Sequence, residues 1–210
     1  MNKKIIALIS FAILILGSCT SAPTESESVA GEYTFSHAYD ENKFINVIES
    51  NTQSTSKFDG FTNTFQFKAT IQNSAVTEAI LWRKSEDYKW TREKLQEERK
   101  KDEAELSSQT RVFLSFFTPI NDSDNLATGR SVWKVYLESN GKRYEAKVEK
   151  VSSPLSELQS WYSYHTRFST PYMLVFATST VQVQQAAAKL IITGPVGNAE
   201  VEFDGLSQPQ

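Results

Sequence analysis

Histidine and cysteine, which carry much of the acid–base and metal chemistry of proteins, are nearly missing from this chain. Its 210 residues hold two histidines, His37 and His165, and one cysteine, Cys19. A single cysteine excludes a disulfide framework, which pairs its thiols. Without a second thiol, and with the histidines in no metal-spacing motif, a Cys/His zinc centre is excluded as well. There is no G-x-S-x-G elbow, no P-loop and no G-x-G-x-x-G run, so the motif-bearing hydrolases and nucleotide binders are set aside. Catalysis by two carboxylates leaves no such trace, because those groups meet in space and not in sequence. On this reading no enzymatic activity and no cofactor are expected.

Long apolar runs are scarce too. The one clear example, Ile5 to Leu16, is broken only by Ser10 and preceded by Lys3 and Lys4. It is too short for a transmembrane helix, which needs ~20 apolar residues. A basic start, a short apolar stretch and small residues describe a signal peptide over residues 1–18. The stretch closes on Leu16-Gly17-Ser18-Cys19, which resembles the lipobox of bacterial lipoproteins. The resemblance covers only the first nineteen residues. It implies that the Cys19 sulfur receives a diacylglycerol, that the signal is cut before it, and that the new amino terminus is acylated. Several chains anchor stably where one holds only marginally. The first expected partner is therefore the lipid membrane, through acylated Cys19. Thr20 follows where an aspartate would mark inner-membrane retention in enterobacterial lipoproteins. That analogy favours a lipid-anchored place in the cell envelope at the outer membrane.

Neither sign of charge dominates. Without residues 1–18 the formal charge moves from −3 to −5, with 20 basic against 25 acidic residues. This mild acidity argues against nucleic acid, or an anionic lipid surface, as the main partner. Thr20 to Val29 is rich in Ser, Thr and Glu and lacks periodicity, so residues 19–30 read as a flexible tether about 20 Å in mean span.

What remains is patterned for strands. Phe65, Phe67, Ala69 and Ile71 alternate with polar residues at period two, the pattern of a half-buried strand. Asn73-Ser74 suggests a turn into a strand from Val76 to Trp82. Val112–Phe117 and Tyr172–Ala177 are nearly continuous apolar runs that suit strands covered on both faces. Asn140-Gly141 fits a two-residue hairpin turn needing positive φ at both positions. Pairing outward opposes Leu137 with Tyr144, Val135 with Ala146 and Trp133 with Val148 on one face, and Glu138 with Arg143 on the other. A second hairpin runs from Leu190–Thr193 through Gly194-Pro195-Val196-Gly197 to Ala199, Val201 and Phe203. No βαβ alternation is present. The expected fold is mainly β, a single antiparallel β-sandwich over residues 31–205 with a tail at 206–210, and an immunoglobulin-like topology is the first expectation on architecture alone.

One segment departs from that pattern. Arg83 to Glu105 carries eight basic and eight acidic residues without Gly or Pro. It predicts a charged helical insertion over 87–106, steadied by Glu97–Lys101 and Glu98–Lys101 pairs of ~0.2–0.5 kcal/mol each. Pro154 to Ser160 suggests a further short helix.

Candidate sites follow from these placements. The charged helix, with Trp90 and Leu95 as its apolar contacts, suits docking to another envelope protein. Trp161-Tyr162-Ser163-Tyr164-His165 with Arg167 suits capture of a glycan or small anion, through Trp161, Tyr164, His165 and Arg167; the plainer reading is that these rings pack a corner of the sandwich. Asp122 and Asp124 form the weak metal candidate, a polar loop that fails the EF-hand pattern at Ala127 and Trp133. The reading these observations favour is an envelope lipoprotein that binds or assembles with another envelope component. A glycan- or small-anion-binding lipoprotein is the alternative. An envelope hydrolase, for which His165 is the first residue to inspect, ranks below both.

Overall fold

The computed structural model describes residues 40–120 and 123–203. Cys19, the tether, His37, Asp122 and the 206–210 tail lie outside the described residues.

The fold is mainly β, with two antiparallel sheets facing each other. One sheet holds five strands in the order β1 (Thr52–Asp59), β2 (Thr62–Ile71), β3 (Thr110–Phe117), β7 (Thr170–Phe176) and β6 (Lys147–Lys150). The other runs β5 (Lys142–Glu145), β4 (Lys134–Ser139), β8 (Ala188–Gly194) and β9 (Gly197–Phe203). This is not the immunoglobulin order, in which the strands divide as ABED and CFG. Alternation decides the core: Phe65 and Phe67 of β2, Val112 and Leu114 of β3, and Leu137 and Leu190 of the second sheet belong to one buried cluster. Trp133, just before β4, sets its ring edge-on to Phe65 and Phe116, 5.0 and 5.3 Å away.

Helices cover the outer face of the five-stranded sheet and make a third layer. In α1 (Glu41–Ser50), Asp40 caps the first turn by accepting from the Asn42 and Lys43 amides, and Phe44 and Ile48 supply a buried i, i+4 face. These side chains meet Val76 and Ile80 of α2 (Ser74–Asp87) and Phe113 of β3 in a second apolar cluster. The expected strand from Val76 to Trp82 is thus a helix. Asn73 is its N-cap rather than a hairpin turn, its side chain accepting from the Val76 amide, and Val76, Thr77, Ile80 and Leu81 are buried at helical spacing. Seven residues with five apolar positions fit either period, and the Asn73 cap together with the packing of Val76 and Ile80 on Phe113 decides between them.

The charged helix also differs in its bounds. It is α3 (Arg92–Ser108), and Asp87 is instead the last residue of α2. Between them Lys89 adopts φ 50°, and the Trp90 amide donates to the Ser85 carbonyl at 3.0 Å. This left-handed stop satisfies α2's last carbonyls and turns the chain back. Thr91 then caps α3, accepting from the Lys94 amide. The Lys101–Glu97 and Lys101–Glu98 pairs form at 2.7 and 2.8 Å. The short helix is α4 (Leu155–Trp161), and α5 (Thr180–Gln184) follows β7.

Both hairpins occur. Leu137 faces Tyr144 and Glu138 faces Arg143, while Leu190 faces Val201 and Gly194 faces Gly197. The Ala146 amide still bonds the Val135 carbonyl at 2.9 Å, but Trp133 does not pair with Val148. The chain crosses at Ala146 to the other sheet, where Val148 faces Leu174. Tyr144, Ala146 and Val148 keep their sides against the core through the crossing, so the alternation continues unchanged while the partner strand changes. β3 is buried at six of its eight positions because both its faces are covered, whereas β7 buries only Tyr172, Leu174 and Phe176.

Candidate ligand cavity

The outer face of β3 presents Arg111 and Phe113, the residues that alternate with its core-facing Val112 and Leu114. Over them, α2 projects Thr77, Leu81 and Lys84, spaced i, i+4, i+7 along one stripe. α3 projects Glu98 and Asp102, also one turn apart. Trp161 and the following Tyr162 close the third side, and together these surround a cavity of about 140 Å³. Trp90, held by the left-handed stop after α2, adds a further ring to its lining. A cavity near this volume accommodates a benzene-sized group.

The walls are rigid. Phe113 and Tyr162 stack at 3.7 Å with their planes 3° apart. Arg99 grips Glu78 through two hydrogen bonds of 3.1 and 2.5 Å, tying α3 to α2. The Tyr88 hydroxyl donates to Glu157, joining the end of α2 to α4, and this bond pushes its pKa up to about 12.

The charges of the lining are unequally matched. Arg111 pairs with Glu105 and lies 3.5 Å from Asp102. Glu98 accepts from Lys94 and Lys101 at 2.7 and 2.8 Å, which holds its carboxyl down at about 2. Lys84 has no carboxylate within ion-pair distance among the described residues; its Nζ sits 4.4 Å from the centre of the Trp161 ring. Burial lowers its pKa, opposed by the field of Asp102, and burial likewise raises that of Asp102 against the field of Arg111. Among the described residues, two of the lining carry buried polar atoms without hydrogen-bond partners, Thr77 Oγ1 and Trp161 Nε1. Buried polar atoms are ordinarily paired. Here two such atoms, on Thr77 and Trp161, belong to the lining of one small cavity, beside the half-buried Lys84.

The residues singled out from sequence separate. Trp161 and Trp90 line the cavity. Tyr164 does not: its hydroxyl bonds Thr70, and burial raises its pKa. His165 is buried, with Nδ1 2.8 Å from Ser115 Oγ, and burial lowers its pKa. Neither residue of that pair borders the cavity. Arg167 is exposed. Of Trp161, Tyr164 and Arg167 only Trp161 lines this cavity, because the rings of Tyr162, Tyr164 and His165 after α4 pack around Phe113. Leu95 is buried as well, which removes it as a surface contact for a partner. Asp124 is exposed, and its carbonyl accepts from the Tyr172 hydroxyl at 2.5 Å. No group of three potential metal ligands occurs among the described residues. Lys84, Asp102 and Arg111 were not legible as a site in sequence, since Lys84 joins the others only once α2 is a helix.

No known family, no curated protein and no solved structure matches this chain.

Proposed function

We propose that this chain is a lipoprotein of the cell envelope, anchored by acylated Cys19, whose sandwich is a binding module for another envelope component. The cavity between α2, α3, α4 and β3 receives a small anionic group of that component. One observation carries the reading: the Lys84 ammonium is held against the Trp161 ring, beside a benzene-sized space, with no carboxylate at ion-pair distance among the described residues. Arg111 pairs with Glu105 and lies 3.5 Å from Asp102, and Glu98 is held by two lysines, so Lys84, which Asp102 reaches only through its field, supplies the charge that a ligand can answer. A carboxylate or phosphate there gains a charge-assisted hydrogen bond, and an attached ring or short chain fills the space between Trp90, Trp161 and Phe113.

Docking through the exposed face of α3 is less well supported, because Leu95 is occupied in the core. Glycan capture through Trp161, Tyr164 and Arg167 is less well supported, since only Trp161 of the three lines the cavity, and the anion part of that alternative is carried here by other residues.

Titration calorimetry with benzoate, phenyl phosphate and glucuronate tests the proposal. At least one should bind with one-to-one stoichiometry, and Lys84→Met should reduce its affinity at least tenfold while leaving the fold intact. Wild-type protein indifferent to all three, or a Lys84→Met variant that binds equally well, would overturn it.

A further inference from the structure

The end of the sandwich at the β1–β2 turn exposes three phenylalanines on two tips, Phe58 and Phe61 on the hairpin and Phe168 on the segment before β7. Phe61, beside Gly60 in that turn, is fully exposed; Phe58 is 61% exposed and Phe168, before β7, 75%. Their common location follows from the strand register. Asp59 faces Thr62 at the end of β1–β2, Gln66 faces Phe117 at the end of β3, and Phe116 faces Thr170 at the start of β7. Thr118 then donates to the Thr64 carbonyl at 2.7 Å, which keeps the β3 exit beside the hairpin. Ile120 and Val132, in the loop joining this end of β3 to β4, are also exposed.

Tips like these suit one kind of partner. A stable protein interface needs roughly 1,000 Å² or more of complementary surface, and three rings divided between two protruding tips do not supply such a face. A fluid leaflet receives each tip singly. Exposed cations stand directly beside two of the rings, Lys57 before Phe58 and Arg167 before Phe168, as suits side chains whose apolar parts sink while their charges stay among headgroups. Asp59 opposes them. The chain's net negative charge lies mostly elsewhere, so the contact is apolar first and electrostatic second.

We propose that this pole inserts into the leaflet of a phospholipid membrane, with Phe58, Phe61 and Phe168 as the penetrating side chains. The inference rests on the lipid-anchored reading for its strength: an anchor at Cys19 keeps the leaflet near, and a weak contact is then populated by effective concentration. The cavity lies on a different face and is not required.

The test uses the acylated full chain in vesicles of phosphatidylethanolamine with a minority of phosphatidylglycerol. Spin labels are placed through Phe61→Cys, Phe168→Cys or, as a control at the opposite end, Ser107→Cys. Labels at 61 and 168 should be relaxed more by oxygen than by a water-soluble nickel chelate, and the label at 107 the reverse. Labels at 61 and 168 that behave like the one at 107, or that are immobilised by protein without lipid exposure, would overturn the insertion. Mass spectrometry of the same samples reports the state of Cys19, so a failed anchor is told apart from a pole that stays in water.

Discussion

Lys84 is the residue whose cost and use are most closely linked. A half-buried ammonium without a carboxylate at ion-pair distance opposes folding, and the fall in its pKa on desolvation expresses that penalty. Lys84→Met keeps the length and apolar body of the side chain and removes the charge. It should raise the midpoint of urea unfolding while weakening anion binding, the trade expected when a site is kept at the expense of stability. A lowered midpoint would mean that the ammonium is already satisfied. His165 gives the pH dependence. Burial holds its folded pKa below the usual value near 6.5, so the unfolded chain binds more protons, and stability falls as pH drops below about 6.5. In urea melts between pH 7.5 and 5, His165→Asn should lose this part of the slope. Gly194 is fixed by space: an added Cβ would lie 2.8 Å from the Val132 carbonyl oxygen and 2.9 Å from the Trp133 ring. Gly194→Ala should cost about 1–3 kcal/mol in chemical denaturation.

At the scale of elements, caps and stops decided what periodicity left open. The strands of period two and the two hairpins were legible because alternation and turn residues agree, as at Leu137–Tyr144 and Leu190–Val201. The Val76–Trp82 segment was misread because Asn73-Ser74 suits a turn and a helix start equally in sequence, and the helix is selected by the cap that Asn73 makes once Val76 and Ile80 pack on Phe113. The crossing at Ala146 left no mark, since either sheet accepts the same alternation. Asn73 is the residue on which α2 depends most locally. It caps the helix and donates 2.6 Å to the Asn51 side chain after α1, so Asn73→Ala should destabilise by about 1–2 kcal/mol. Because α2 carries Thr77 and Lys84 into the cavity, this variant should also weaken anion binding, whereas a cap change on α5 should not.

For the whole molecule, three layers divide the labour. The two sheets share one core and need nothing further to bury it, which leaves the outer face of the five-stranded sheet to be covered by helices rich in charge. Such helices seal that face incompletely, and the cavity lies where α2, α3 and α4 meet over β3. Sequence pointed to this region through Trp161 and Trp90 but not to the charges that make it a site, because Lys84, Asp102 and Arg111 come from three elements and meet only in the fold. Native mass spectrometry of wild-type and Lys84→Met protein, extracted from its own membranes in mild detergent, tests the account most directly. The account predicts an acylated Cys19 in both, and a small anionic adduct on wild type that the variant lacks. An unmodified Cys19 thiol, or equal adduct on the two proteins, would contradict it.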